Sequence, residues 1–264
     1  MSGLTTRQPC STLAPMSIES ADDLEGMRLA GRITRETLDA LERGVRAGVT
    51  TADLDAIAAG VFDSRGARSA PTLVYGFPGH ALISVNDEIV HGVPGARRLK
   101  RGDVVKLDVT VEKDGYIADA ARTVIVGNGT DVARRLVACA RAAFRAALPV
   151  ARAGMPVNQI GRAVQQEVRR HGFTVVHGLC GHGVGRTIHE EPTVPNRYDP
   201  LQHDVLTEGL VLTIEPMVSA GSAHVVEDRN GWTIRTRDGS LAAHHEHTLL
   251  ITKEDPVILT EAAA

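Results

Sequence analysis

The sequence predicts an α+β protein whose helices pack on one face of a curved antiparallel sheet. Three observations carry this: capped amphipathic helices in a pair, β-branched segments that follow in a block, and a repeat of that plan farther along. Ser20 followed by Asp23 reads as a helix start, and Leu24, Met27, Ile33, Leu38 and Leu41 continue at roughly helical spacing to Gly44. A second helix begins at Thr50 with Asp53 three positions on, turns Leu54, Ile57 and Val61 inward, and stops at Gly66. LISV, VVKLDVTV and YIADAARTVIV then read as strands, as do LVLTIEPMV and HTLLIT in the second half.

The repeat is direct. VRAGVTTADLDAIAAGVFDSRG (45–66) lies without a gap over ARAGMPVNQIGRAVQQEVRRHG (151–172), an offset of 106, so that Gly66 falls on Gly172. At an offset of 107, RGDVVKLD (101–108) lies over EGLVLTIE (208–215), which pairs Asp108 with Glu215. Two halves of one plan, about 18–130 and 131–256, are expected inside a single domain spanning 18–264, behind a loose tail at 1–17. Nothing reads as a linker between independent domains.

With 264 residues and 43% hydrophobic content the chain can bury a sizeable core. A formal charge of −3 gives no global attraction to nucleic acid or to anionic lipid. Arg97, Arg98, Lys100 and Arg101 are expected to be a solvated turn. No apolar run approaches the ~20 residues that span a bilayer, and the first 17 residues lack the core of a signal peptide, so a cytoplasmic protein is expected. Cys10, Cys139 and Cys180 are too few and too scattered for a disulfide framework and are read as free thiols.

Chemistry enters with KLDVTVEKDGYIADA (106–120). Asp114-Gly115 is a preferred two-residue hairpin turn, which pairs Lys113 with Tyr116, Thr110 with Asp119 and Asp108 with Ala121. Asp108 and Asp119 then share a face as diagonal neighbours, with Cα atoms roughly 7–8 Å apart. Two buried carboxylates need a cation, either a divalent metal or an arginine such as Arg122.

The rest of the chain favours metal. CGHGVGRTIHEEP (180–192) sets His182 and His189 among glycines, where little side-chain bulk bars a ligand. Glu215 ends an apolar strand at Pro216, and Glu246 heads another strand. Four carboxylates and one imidazole balance two divalent ions, and such a ligand set suits Mn, Fe, Co or Zn. His244, His245 and His247 flank Glu246 and are read as structural or supporting residues, with His245 and His247 facing away from it.

IVHGVP (89–94), LDVTV with Asp119 eleven positions after Asp108, GHGVGRTIHEEP, TIEPMV (213–218) and EHTLLIT (246–252) together resemble the methionine aminopeptidases. The match runs in order from about residue 18 to 256 and looks like the type I, bacterial-style branch, because only 25 residues separate His189 from Glu215. The resemblance implies the pita-bread fold, whose two pseudo-symmetric halves agree with the repeat. It implies metal ligands at Asp108, Asp119, His182, Glu215 and Glu246, with His91 facing the scissile nitrogen and His189 bonding the substrate carbonyl. It also implies removal of an N-terminal methionine, preferably before a small residue, by attack of a hydroxide that bridges two metals, with Glu215 taking and later passing on the proton.

The pocket departs from the family pattern. Phe77 and Trp232 fit its aromatic lining, but Val74, Leu82 and Ile188 stand where bulkier aromatics or cysteine are common. Methionine remains the favoured first residue. The expected partner is a peptide or nascent-chain N-terminus, met by a monomer, and the ribosome is a further partner for which no docking segment can be pointed to. An Xaa-Pro peptidase of the same fold is the rival enzyme, disfavoured because such proteins usually carry an additional N-terminal domain. A non-catalytic binding protein on this fold is disfavoured because every ligand position is filled.

Overall fold

Caps decide where the first helices begin. Ser20 Oγ accepts from the Asp23 amide at 3.1 Å to open α1 (Ala21–Gly44). Thr50 and Asp53 bond each other's amides, at 3.0 and 2.8 Å, to open α2 (Thr51–Arg65), which Gly66 closes at φ +57°. The computed structural model describes residues 16–262.

The first half continues through β1 (Arg68–Ser69), the short helix α3 (Ala70–Tyr75), β2 (Leu82–Val85) and β3 (Glu88–Val90) to the hairpin β4 (Val104–Lys113) and β5 (Tyr116–Ile125). The second half opens with α4 (Asp131–Ala147) and α5 (Asn158–Arg170), followed by β6 (Thr174–Val175), β7 (Gly181–Gly183) and β8 (Glu190–Val194). Then come β9 (Val211–Ile214), β10 (Met217–Ser219), β11 (Val225–Glu227), β12 (Ile234–Thr236), β13 (Ala242–His244), β14 (Glu246–Leu250) and β15 (Val257–Ile258).

The main sheet runs β1-β4-β5-β14-β9-β7-β8, with β2 also on β4 and β15 also on β14. The hairpin register is the one its turn dictates: Lys113 opposes Tyr116, Thr110 opposes Asp119 and Asp108 opposes Ala121. Asp114 and Gly115 both hold positive φ, +50° and +83°, as a tight turn between twisted strands requires.

Strand alternation separates core from site. Leu107, Val109 and Val111 of β4 join the apolar cluster of Leu38, Leu41, Leu54 and Phe62 from α1 and α2. In the second half Leu212, Ile214 and Leu249 join Leu136, Phe144, Ile160 and Val164 from α4 and α5. The helices therefore cover one face, and Lys106, Asp108 and Thr110 turn to the other.

The repeat is written in hydrogen bonds. Gly48 donates to Leu99 O and Gly154 to Leu206 O; Thr51 donates to Arg97 O and Val157 to Asp204 O; Gly102 donates to Val126 O and Gly209 to Ile251 O. The donors and the first two acceptors keep the offset of 106 or 107, Val126 and Ile251 stand 125 apart, and Gly102 and Gly209 share a φ of +91° and +88°. The pita-bread architecture is present, with the halves meeting where β5 pairs with β14.

The expected tail needs correction at its end. Positions 1–15 lie outside the described residues, but Met16 is buried and Ser17 bridges Leu210, because Val211 donates to Met16 O and Ile18 donates to Gly209 O. Among the described residues no helix is long and apolar enough to cross a membrane.

Candidate metal centre

Ladder register assembles the acids. Asp108 opposes Ala121, Ala121 opposes Glu246, and His247 opposes Ile214, so Glu215 stands one step beyond, beside Glu246. The row thus carries three carboxylates across four strands, and Asp119 lies two positions from Ala121 on the same face. All four acids are buried: Asp108 is 9% exposed, Asp119 6%, Glu215 7% and Glu246 2%.

A neighbouring row of threonines holds this carboxylate face in place. Thr110 opposes Asp119 and bonds its carboxylate. Thr248 accepts from the Asp119 amide at 2.8 Å and donates to the Asp119 carbonyl at 2.7 Å. Thr213, opposite Thr248, donates to Glu215 Oε1 at 3.0 Å and accepts from the His182 amide at 3.1 Å.

Without a cation these acids are in conflict with their surroundings. Burial pushes Asp108, Glu215 and Glu246 well above the ordinary carboxylate range, with the neighbouring acids adding to the shift, and raises Asp119 to about 6. Asp119 Oδ1 and Glu246 Oε1 are buried with no hydrogen-bond partner. Arg122 does not relieve them, since its guanidinium pairs with Asp39 at 2.5 Å and Glu42 at 3.3 Å.

A divalent metal does fit. Ligand atoms of Asp108, His244 and Glu246 lie within 4.8 Å of one another, and so do those of Asp119, His182 and Glu246. His182 Nε2 is 3.5 Å from Glu215 Oε1, and its Nδ1 is anchored to Gly183 O at 2.9 Å. Unpaired acid oxygens beside imidazoles are the donor set for a hard-to-borderline divalent ion.

His244 shares the face of Glu246, as strand alternation expects of residues two positions apart. Its Nε2 lies 3.5 Å from Glu246 Oε2 and 3.7 Å from Glu215 Oε2, and neither ring nitrogen has a hydrogen-bond partner. Alternation turns His244 and Glu246 inward together. His245 and His247 point the other way, against Phe144 at 5.4 and 5.1 Å between ring centroids.

Two more histidines close around the acids. His91 follows β3 at φ +58°, and the turn is tight: a Cβ on Gly92 would lie 2.2 Å from Ile83 O. His189 sits with its ring 4.3 Å from that of His182, and its Nδ1 is 2.5 Å from the Tyr75 hydroxyl. Burial keeps both neutral, His91 falling to about 4 and His189 to about 2, the latter also repelled by His182 and His91.

Phe77 and Trp232 meet edge to face at 5.3 Å, so the two expected pocket aromatics are brought together. Leu82 opposes Asp108 directly; Val74 is exposed, and Ile188 belongs to the separate cluster of Met16, Met27 and Val211. Cys180 is a half-buried thiol held up at about 11 by burial and Glu215, and Cys139 is buried at about 12, so both remain protonated; Cys10 lies outside the described residues. A groove of about 670 Å³ along α4, lined by Arg134, Arg141, Arg145 and Arg170, shares no residue with this constellation.

The model of metallopeptidase family M24 matches residues 25–253. The chain is 42% identical over 248 residues to methionine aminopeptidase 2 of Bacillus subtilis (strain 168), covering 93% of this chain and 100% of that one. It is 41% identical over 248 residues to the methionine aminopeptidase of Escherichia coli (strain K12), covering 93% and 94%. Among solved structures it superposes on the methionine aminopeptidase of Rickettsia prowazekii with a TM-score of 0.89 at 36% identity, over 93% of this chain and 100% of that one. Prolidase from Pyrococcus furiosus shares the fold, with a TM-score of 0.75 at 22% identity, and this chain covers 65% of it.

Proposed function

Because this chain belongs to metallopeptidase family M24, as a metallo-aminopeptidase of the methionine aminopeptidase kind, we propose that it removes the N-terminal methionine of peptides and nascent proteins, preferably before a small second residue. The observation that carries the reading is the set of buried acids with partnerless oxygens, facing imidazoles rather than arginines.

Asp108, Asp119, His182, Glu215 and Glu246 would hold two divalent ions drawn from Co, Mn, Fe or Zn. Bound there, the ions supply the Lewis acidity that makes water nucleophilic at neutral pH and draws charge from the scissile carbonyl. Glu215 takes a proton from the attacking water and passes it to the leaving amine; Thr213 holds one of its oxygens in place for both transfers. His189 donates to the carbonyl oxygen as charge develops there. His91 faces the scissile nitrogen, fixed by the tight turn at Gly92 and by Thr233, whose hydroxyl donates to its carbonyl at 3.3 Å. Phe77 and Trp232 bind the methionine side chain, an apolar wall suited to a thioether. The enzyme acts in the cytoplasm as a monomer, on chains as they leave the ribosome.

The test is cleavage of Met-Ala-Ser, Leu-Ala-Ser and Met-Pro by metal-stripped protein reloaded in turn with Mn, Co, Fe and Zn. Methionine released from Met-Ala-Ser, restored by metal and blocked by chelator, is the expected result. Cleavage of Met-Pro alone would move the protein to the proline peptidases, and silence with every ion would end the reading.

A further inference from the structure

An imidazole stabilises an oxyanion only through an N–H, and a neutral ring has one N–H shared between two nitrogens. Which nitrogen carries it is decided by what the other one bonds. In this chain Nδ1 of His189 lies 2.5 Å from the hydroxyl of Tyr75, and among the described residues His189 is that hydroxyl's one hydrogen-bond partner. Burial raises this phenol above its ordinary range, so it holds its proton at neutral pH and is the natural donor to a bare ring nitrogen. The ring's own hydrogen then sits on Nε2.

We propose that Tyr75 is a positioning residue that fixes the tautomer and plane of His189, so that Nε2–H is the group offered to the substrate carbonyl. This rests on the role given to His189 above. The geometry holds the ring from two sides, with the His182 ring at 4.3 Å and the Tyr75 ring at 5.8 Å. Tyr75 is itself held: it is the last residue of α3, which Gly76 ends at φ +71° by donating to Thr72 O at 3.1 Å. Thr72 Oγ1 then donates to Gly79 O at 2.6 Å across the turn. The same turn delivers Phe77 to Trp232, so the element that orients the oxyanion donor also builds the wall of the side-chain pocket. A substrate side chain seated against Phe77 therefore bears on the segment that sets His189.

The experiment compares the full-length protein with Tyr75→Phe, His189→Ala and the double variant, by turnover of Met-Ala-Ser with zinc and by ¹⁵N NMR of the histidine rings with and without zinc. Removing the hydroxyl should lower kcat roughly tenfold with KM changed by less than about twofold, as loss of an aligned proton donor does. In the His189→Ala background the same change should cost nothing further. The His189 ring should show the Nε2–H pattern in the native protein and a mixed pattern in Tyr75→Phe, in the metal-free protein as well. An unchanged ring spectrum in Tyr75→Phe overturns the proposal, and so does a kcat loss that persists in full without His189. Full turnover in His189→Ala alone would instead remove His189 from the chemistry, while the ring spectra still decide whether Tyr75 sets its tautomer.

Discussion

An Asp119 oxygen and a Glu246 oxygen, both buried and both without a partner, are costly features for a folded chain to keep. Their value lies in an ion. Asp108→Asn should lose metal and activity together, as metal analysis beside a turnover assay would show; retention of both would detach Asp108 from the centre. His189→Ala should keep its metal and lose roughly 10²–10³ in kcat, the range for a removed oxyanion donor. Asp119, raised to about 6 by burial, also leaves a mark on stability. Between its unfolded value near ~3.9 and about 6, the folded metal-free protein holds more protons than the unfolded one, so this carboxyl's contribution falls as pH rises through that window. The unfolding free energy of the metal-free protein, measured against its Asp119→Asn variant, should therefore drop from pH 4 to 6; a flat difference would show an unshifted acid. At this scale the acids, His182 and His189 could be picked out because charge and imidazole stand out in apolar or glycine-rich strings, whereas His91 came only with the family resemblance. Tyr75 was not, since a tyrosine at the end of a short exposed helix carries no mark of what its hydroxyl touches.

Among the elements, the hairpin β4–β5 could be read to the residue because its register follows from a two-residue turn. The pairing of β5 with β14 could not: Ala121 and Glu246 are joined by no local chemistry, only by the packing of the halves. Thr248 stitches that junction through both bonds to Asp119, and Thr248→Val should destabilise the protein by ~1–3 kcal/mol in denaturant unfolding, the cost of leaving buried backbone groups unpaired. His244 lies on the face of Glu246 by strand alternation, but nothing local shows how near its ring comes to the acids.

For the whole molecule, the repeat told most of the plan, and the structure adds what the second copy was changed to do. Asp108 and Glu215 are counterparts, as are Ala121 and Glu246, and Asp119 is answered by His244, since Thr248 bonds the Asp119 amide and carbonyl as Thr123 bonds those of His244. Neither half owns the centre. One brings Asp108 and Asp119, while the other brings Glu215, Glu246 and His182. The seam between them is short, with only two paired positions on β5 and β14 against ten along β4 and β5. Four acids stand across or beside that short seam, so bound metal would act as a clasp, and the halves should breathe when it is undone. Amides of Ala120, Ala121 and His247 should exchange hydrogen faster after chelation, while those deep in β4 barely change. Metal supply would then govern how long the chain survives a protease as well as how fast it works.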